Sequence, residues 1–83
     1  MIGSVKTNIG HLEAGAGIAG TIKTALALYH GQIPPSLHFS NPNPNIGFEG
    51  LGIRVATALE PMRNGSKPAL ACVNAFGFGG TNA

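Results

Sequence analysis

Apolar positions along this chain fall into one long period and several short ones. From about Leu12 to His30, Ile18, Ile22, Leu26 and Tyr29 recur at spacings of four, four and three. That spacing places them on one helical face. Glu13 stands in the first turn, where a carboxylate suits the positive end of a helix. Gly31 is a good terminator, and Pro34-Pro35 forbids continuation. Gly15, Gly17 and Gly20 each cost a helix about 1 kcal/mol relative to alanine. Glycines placed there predict a close backbone approach by a neighbour that leaves no room for side chains.

Shorter patterns flank this helix. Ile2–Val5 reads as the end of a strand, and Lys6–His11 as a polar loop. Ile33–Phe39 is expected to be extended, because a residue before proline is pushed out of the helical region. Asn41–Asn45, with Pro42 and Pro44, reads as a turn-rich loop. Ile53, Val55 and Thr57 give Leu51–Leu59 the period of two that a strand shows. Pro61–Lys67 is a loop around the turn pair Asn64-Gly65. Ala69–Phe76 is an apolar run suited to a buried strand, followed by the glycine-rich stretch Gly77–Ala83. With no closing element after that stretch, the pattern reads as an interrupted fold.

Composition changes this picture in one respect. Hydrophobic residues make up 43% of the 83 positions but charged residues only 10%, well below the roughly 25% of ordinary soluble domains. A small free domain is mostly surface, so few charges point to a chain covered by other protein. The net charge of +2 is not gathered into a basic run, which gives no case for nucleic-acid or membrane-surface binding. One cysteine excludes an internal disulfide and a cysteine-cluster metal site. No apolar run reaches the roughly 18 residues of a membrane span, and no signal-peptide pattern opens the chain. The expected setting is therefore the cytoplasm.

Candidate chemistry is confined to a few places. Gly15–Gly20 matches the G-x-G-x-x-G pattern of dinucleotide binding, but its glycines fall inside the helix rather than between strand and helix. The ribose-binding acid about 20 residues further on is also missing. Asn64-Gly65-Ser66 fits a glycosylation pattern without the secretory signal that would give it meaning. His30 near a helix C-terminus is a favourable charge placement, and His38 reads as structural. Cys72, in the expected buried strand with no basic residue beside it, reads as an inert thiol.

His11 is the sharper case, because it sits where the polar loop meets the helix. A neutral imidazole there can donate a hydrogen bond to a carbonyl that gains negative charge. Lys6 in the same loop could orient or polarise such a site. Equally, His11 could be a capping or solvent-exposed histidine. The Gly77–Gly80 loop could be a flexible turn, or it could present backbone N–H groups to an anion. Phe78 within it either fills a core or lines a pocket.

Three segments together resemble one family. Gly3-Ser4-Val5-Lys6-Thr7-Asn8-Ile9-Gly10-His11, with the Ala/Gly-rich helix and Ile22-Lys23, resembles the second histidine motif of β-ketoacyl synthases. His30–Phe39 and Asn41-Pro42-Asn43-Pro44 resemble the segment that follows it in modular polyketide synthases. Asn74–Ala83 resembles the family's C-terminal glycine loop. The motifs occur in the right order and cover essentially the whole chain.

The resemblance implies an α/β, partial thiolase-like fold: most of the second half, with a mixed sheet and one long helix, over residues 1–83. It implies a fragment of a ketosynthase. That enzyme performs decarboxylative Claisen condensation of acyl and malonyl-type thioesters in polyketide or fatty acid biosynthesis. On this reading His11 hydrogen-bonds the extender thioester and stabilises its enolate, and Lys6 supports the active-site network. Phe78 supplies an oxyanion-hole N–H and gates the acyl pocket, within the loop of Gly77, Gly79 and Gly80. No metal or directly bound cofactor is implied, since substrates ride on the phosphopantetheine of an acyl carrier protein. Implied partners are that carrier protein, the N-terminal ketosynthase half and a second copy in a homodimer, with no nucleic acid and no membrane.

The family's nucleophilic cysteine and its His-Gly-Thr-Gly-Thr histidine have no counterpart here, and Cys72 does not match the nucleophile. The fragment alone is therefore expected to be inactive. The competing expectation is a non-catalytic remnant or interaction module that binds a ketosynthase-like partner.

Overall fold

The central helix starts later than its apolar period. The computed structural model describes residues 1–63 and 65–79. In it a single turn of α-helix, α1, spans Lys6–Ile9. A 3₁₀ turn at Glu13–Gly15 follows, and then the long helix α2 at Ala16–His30. The delay has a local cause: Glu13 holds a positive φ of 49°, which no regular right-handed helix tolerates. At its other end α2 stops as expected. Gly31 turns left-handed, φ 64° and ψ 30°, and its N–H bonds back to the last turn.

The segment Lys6–His11 corrects the loop expectation. Ser4 prepares the turn from outside it: its Oγ accepts the Lys6 N–H at 3.2 Å, while its carbonyl accepts the Thr7 hydroxyl at 3.0 Å. Gly10 closes α1 by donating its N–H to the Lys6 carbonyl at 2.9 Å. Four residues are too few to hold a helix unaided, so these side-chain contacts maintain it.

Sheet structure is sparse. Strands β1 (Gln32–Ile33) and β2 (Glu60–Pro61) pair antiparallel, Gln32 opposite Pro61 and Ile33 opposite Glu60. A separate parallel bridge joins Ile2 to Val55. Among the described residues, then, the expected mixed sheet is an antiparallel pair plus one parallel bridge. Leu51–Leu59 does not form a strand of its own. Its period-two signal is nevertheless used, because alternate carbonyls serve two neighbours. Arg54 O accepts from the Ile2 N–H and Ala56 O from the Ser36 N–H, both at 2.9 Å. Downstream, Arg54 grips Glu60 through two parallel hydrogen bonds of 2.7 and 2.6 Å. Leu37–His38 is a turn inside the stretch expected to be extended, and His38 has a φ of 58°. Asn41–Asn45 is the expected turn, with Asn43 Oδ1 accepting the Asn45 N–H at 2.9 Å. Asn64 lies outside the described residues, while its partner Gly65 turns with a φ of 58°.

The second correction concerns Ala69–Phe76. It is neither a strand nor buried: Leu70 and Phe76 are each 89% exposed. Its inward positions lie against the helix glycines. A Cβ on Gly20 would stand 3.2 Å from Val73 Cγ1, and one on Gly17 would stand 3.3 Å from Ala75 Cβ. This is the close approach that the glycines predicted. Cys72, beside the inward-facing Val73, is exposed rather than buried.

Among the described residues, only Ala56 is fully buried. The chain exposes 6635 Å², whereas a compact monomer of its 8.4 kDa mass exposes about 4,600 Å². Its radius of gyration, 13.8 Å, likewise exceeds the about 11.8 Å of a compact chain this long. The apolar stripe of α2 is partly open, with Ile18, Ile22, Leu26 and Tyr29 all exposed.

Candidate functional site

His11 stands between two backbone irregularities. Gly10 before it has φ 72° and ψ −170°, a region essentially reserved for glycine. Glu13 after it has the positive φ already noted. Two residues on, the Glu13 N–H faces the imidazole, and His11 Nδ1 accepts it at 2.8 Å. In a neutral imidazole one ring nitrogen accepts and the other donates. With Nδ1 accepting, the hydrogen resides on Nε2, which makes no hydrogen bond among the described residues. The ring itself is exposed. Of the two roles the sequence left open, the Nδ1 bond shows one: a side-chain acceptor at a helix start.

Lys6 opens α1 and is exposed. Among the described residues its ammonium makes no hydrogen bond or ion pair, with His11 or any other residue. Phe78 is fully exposed beside Gly77, in a turn with Gly79, whose φ is 88°. Gly80 lies outside the described residues. Because Val73 faces Gly20 and Ala75 faces Gly17, this segment runs toward the N-terminal end of α2. That is the end at which His11 lies, but among the described residues no hydrogen bond or ring contact joins Phe78 to His11. His11 and the segment that carries Phe78 are therefore directed to one end of the helix, without forming a closed constellation among the described residues.

Two further residues, named in the sequence only as members of a motif, were given no role there. Lys23 follows Ile22 on the helix stripe. Its ammonium is out of reach of water and has no acceptor among the described residues. Desolvation lowers its pKa from the ordinary lysine value. Its stem lines an apolar groove of ≈ 530 Å³ with Ile9, Ile22, Leu26 and Leu59. Thr7 Oγ1 accepts the Leu37 N–H at 3.2 Å, thirty residues away in the chain. Neither fact has a local signature. His11, Lys6 and Phe78 do not line the groove.

The family model described as the β-ketoacyl synthase C-terminal domain matches residues 1–40, which include Lys6, His11 and all of α2. All 83 residues align at 55% identity with a subunit of the phenolphthiocerol/phthiocerol polyketide synthase of Mycobacterium tuberculosis, covering 4% of that protein. The chain belongs to the β-ketoacyl synthase family. A highly reducing polyketide synthase of Aspergillus terreus is also 55% identical, over 99% of this chain and 3% of its own length. A hybrid PKS-NRPS synthetase of the same species is 48% identical over 99% of the chain and 13% of its own length. The ketosynthase chain thus spans a small part of these relatives. It corresponds to the C-terminal ketosynthase region of a polyketide synthase. The glycine loop lies beyond the family-model match but within these longer alignments. No helix among the described residues is long and apolar enough to cross a membrane.

Proposed function

We propose that this chain supplies the enolate-stabilising part of a ketosynthase site, within a polypeptide that performs decarboxylative Claisen condensation in polyketide assembly. One observation carries the reading: the Glu13 N–H occupies His11 Nδ1 at 2.8 Å and leaves Nε2–H as an outward donor. In the proposed step the bond from the malonyl-type carbon to its carboxylate breaks and carbon dioxide leaves. The electron pair moves onto the thioester as an enolate, whose oxygen accepts the Nε2–H bond. Such a donor acts mainly on charge that develops in the transition state. The enolate carbon then attacks an acyl thioester on a cysteine, forming the carbon–carbon bond and releasing the cysteine thiolate.

On this reading Lys6 supports the network around His11. The Phe78 N–H contributes to the oxyanion hole of the acyl thioester, its ring gates the acyl pocket, and Gly77, Gly79 and Gly80 allow the loop its shape. The nucleophilic cysteine comes from outside residues 1–83. Cys72 does not take that role, because it lies in the segment that leads to the glycine loop. The fold is read as part of a thiolase-like α/β architecture, working in the cytoplasm as a homodimer. Extender and product are carried on the phosphopantetheine of an acyl carrier protein. The open apolar stripe of α2 and the excess surface support a chain completed by further polypeptide.

The test is carbon–carbon bond formation followed by mass spectrometry of carrier-bound product. The intact polypeptide that carries this chain is expected to extend an acyl group by one malonyl-derived unit. The 83-residue chain alone is expected to form none. An intact polypeptide that loads acyl and malonyl groups but never condenses them would overturn the proposal.

A further inference from the structure

We propose that Thr7 is a positioning residue for His11, locking the histidine segment to the Pro34-Pro35-Ser36-Leu37 strap. The proposal rests on the ketosynthase reading for its catalytic readout and on geometry alone for the lock. A hydroxyl has one hydrogen to give and two lone pairs to accept with, and Thr7 uses both capacities across two segments. Its Oγ1 donates to the Ser4 carbonyl at 3.0 Å and accepts the Leu37 N–H at 3.2 Å. Asn8 Oδ1, at 3.4 Å, is a longer competitor for the same hydrogen.

The strap on the far side is itself anchored, because the neighbouring Ser36 N–H donates to the carbonyl of Ala56 at 2.9 Å. Ala56 is fully buried. On the near side, α1 is one turn long and cannot fix its own direction. Thr7 is followed by two more residues of that turn, then Gly10, then His11. The direction in which the chain enters His11 is therefore set where α1 is tied down, and Thr7 is the tie that crosses thirty residues of sequence. Threonine suits the task because its branched Cβ restricts rotation about χ1. Valine has the same shape without the hydroxyl. Serine keeps the hydroxyl and loses only the stiffness.

The experiment uses the intact condensing polypeptide with Thr7→Val and Thr7→Ser. Malonyl decarboxylation, acyl loading of the nucleophilic cysteine and hydrogen exchange at the Leu37 amide are measured side by side. Thr7→Val is expected to speed Leu37 exchange. It should also lower the decarboxylation kcat by about tenfold to a hundredfold, the scale of a misplacement near 1 Å. KM for the carrier-bound extender and the rate of acyl loading should stay near parent values. Thr7→Ser should restore both the exchange protection and most of kcat.

If Thr7→Val does not fold, Thr7→Ala replaces it in the same comparison with Thr7→Ser. Unchanged Leu37 exchange in the variant lacking the hydroxyl overturns the lock. Freed Leu37 with decarboxylation at the parent rate overturns the positioning role. A loss of decarboxylation that Thr7→Ser fails to restore also overturns it. If the parent polypeptide itself never decarboxylates malonyl thioester, the ketosynthase reading fails, and the exchange arm still decides whether the lock exists.

Discussion

Replacing Gly10 with alanine separates backbone strain from packing more cleanly than any other change in this chain. Among the described residues, nothing beyond its own chain neighbours lies within 4 Å of where its Cβ would stand. The entire penalty comes from φ 72° and ψ −170°. For a residue with a side chain, that conformation costs about 1–3 kcal/mol. Gly31 is the matched control: φ 64° and ψ 30°, again with nothing within 4 Å. Alanine there pays the left-handed penalty of about 1–2 kcal/mol at the far end of α2.

Both variants of the intact polypeptide should therefore lose similar stability in urea titrations. Their chemistry should differ. Relaxing Gly10 toward negative φ changes the direction in which α1 enters His11, and so shifts the imidazole, together with the Glu13 N–H it accepts at 2.8 Å, relative to α1. A displacement near 1 Å at a reacting group costs about a hundredfold in rate. Gly10→Ala should thus lose malonyl decarboxylation among molecules that remain folded, while Gly31→Ala retains it. Equal decarboxylation in the two folded variants would refute the idea that Gly10 aims the histidine.

Two other outcomes follow from the packing. Gly20→Leu places a side chain where Val73 Cγ1 already stands 3.2 Å from a bare Cβ. The overpacking should cost about 1–3 kcal/mol, read as a lower urea midpoint, whereas a midpoint at or above the parent's would show that the 69–76 segment does not rest on α2. Lys23 should make stability depend on pH in a defined direction. Its folded pKa lies below the ordinary 10.5, so the unfolded chain binds more protons as the pH nears that value, and stability rises with pH there. The burial penalty is present in full at neutral pH and is relieved as the ammonium loses its proton. Lys23→Met should abolish this rise, and identical pH profiles for parent and variant would contradict the desolvation reading.

Legibility in the sequence follows the range of the interactions. The α2 stripe from Ile18 to Tyr29 and its stop at Gly31 depend on neighbours three or four residues away, and both are readable. Gly17 and Gly20 announce a close neighbour, although nothing local names Val73 and Ala75. The helical turn α1 reads as a loop because its cap is Ser4, one residue outside the usual position, and its tie to Leu37 is non-local. The apolar runs at 51–59 and 69–76 carry strand patterns, yet a pattern becomes a strand only when an edge is present to pair with it. For Leu51–Leu59 the available edges are single residues, Ile2 and Ser36. Hydrophobicity predicts burial of Cys72, Leu70 and Phe76, but burial depends on what covers a residue. At the site, the residue types of Lys6, His11 and Phe78 are readable as motifs. The acceptor role of Nδ1 is not, because it depends on how the backbone turns between His11 and Glu13.

The outward donor of His11 is the centre of the functional reading. In the intact polypeptide, malonyl decarboxylation and acyl transfer onto the nucleophilic cysteine are to be measured separately for parent and His11→Ala, each at matched folded fraction. Loss of one donor to developing charge is worth about 10²–10³ in rate. Decarboxylation should fall by that factor, and acyl transfer, whose charge develops in the other oxyanion hole, should fall far less. A folded His11→Ala variant that decarboxylates malonyl thioester at the parent rate would contradict this role and leave His11 as a helix-start residue alone.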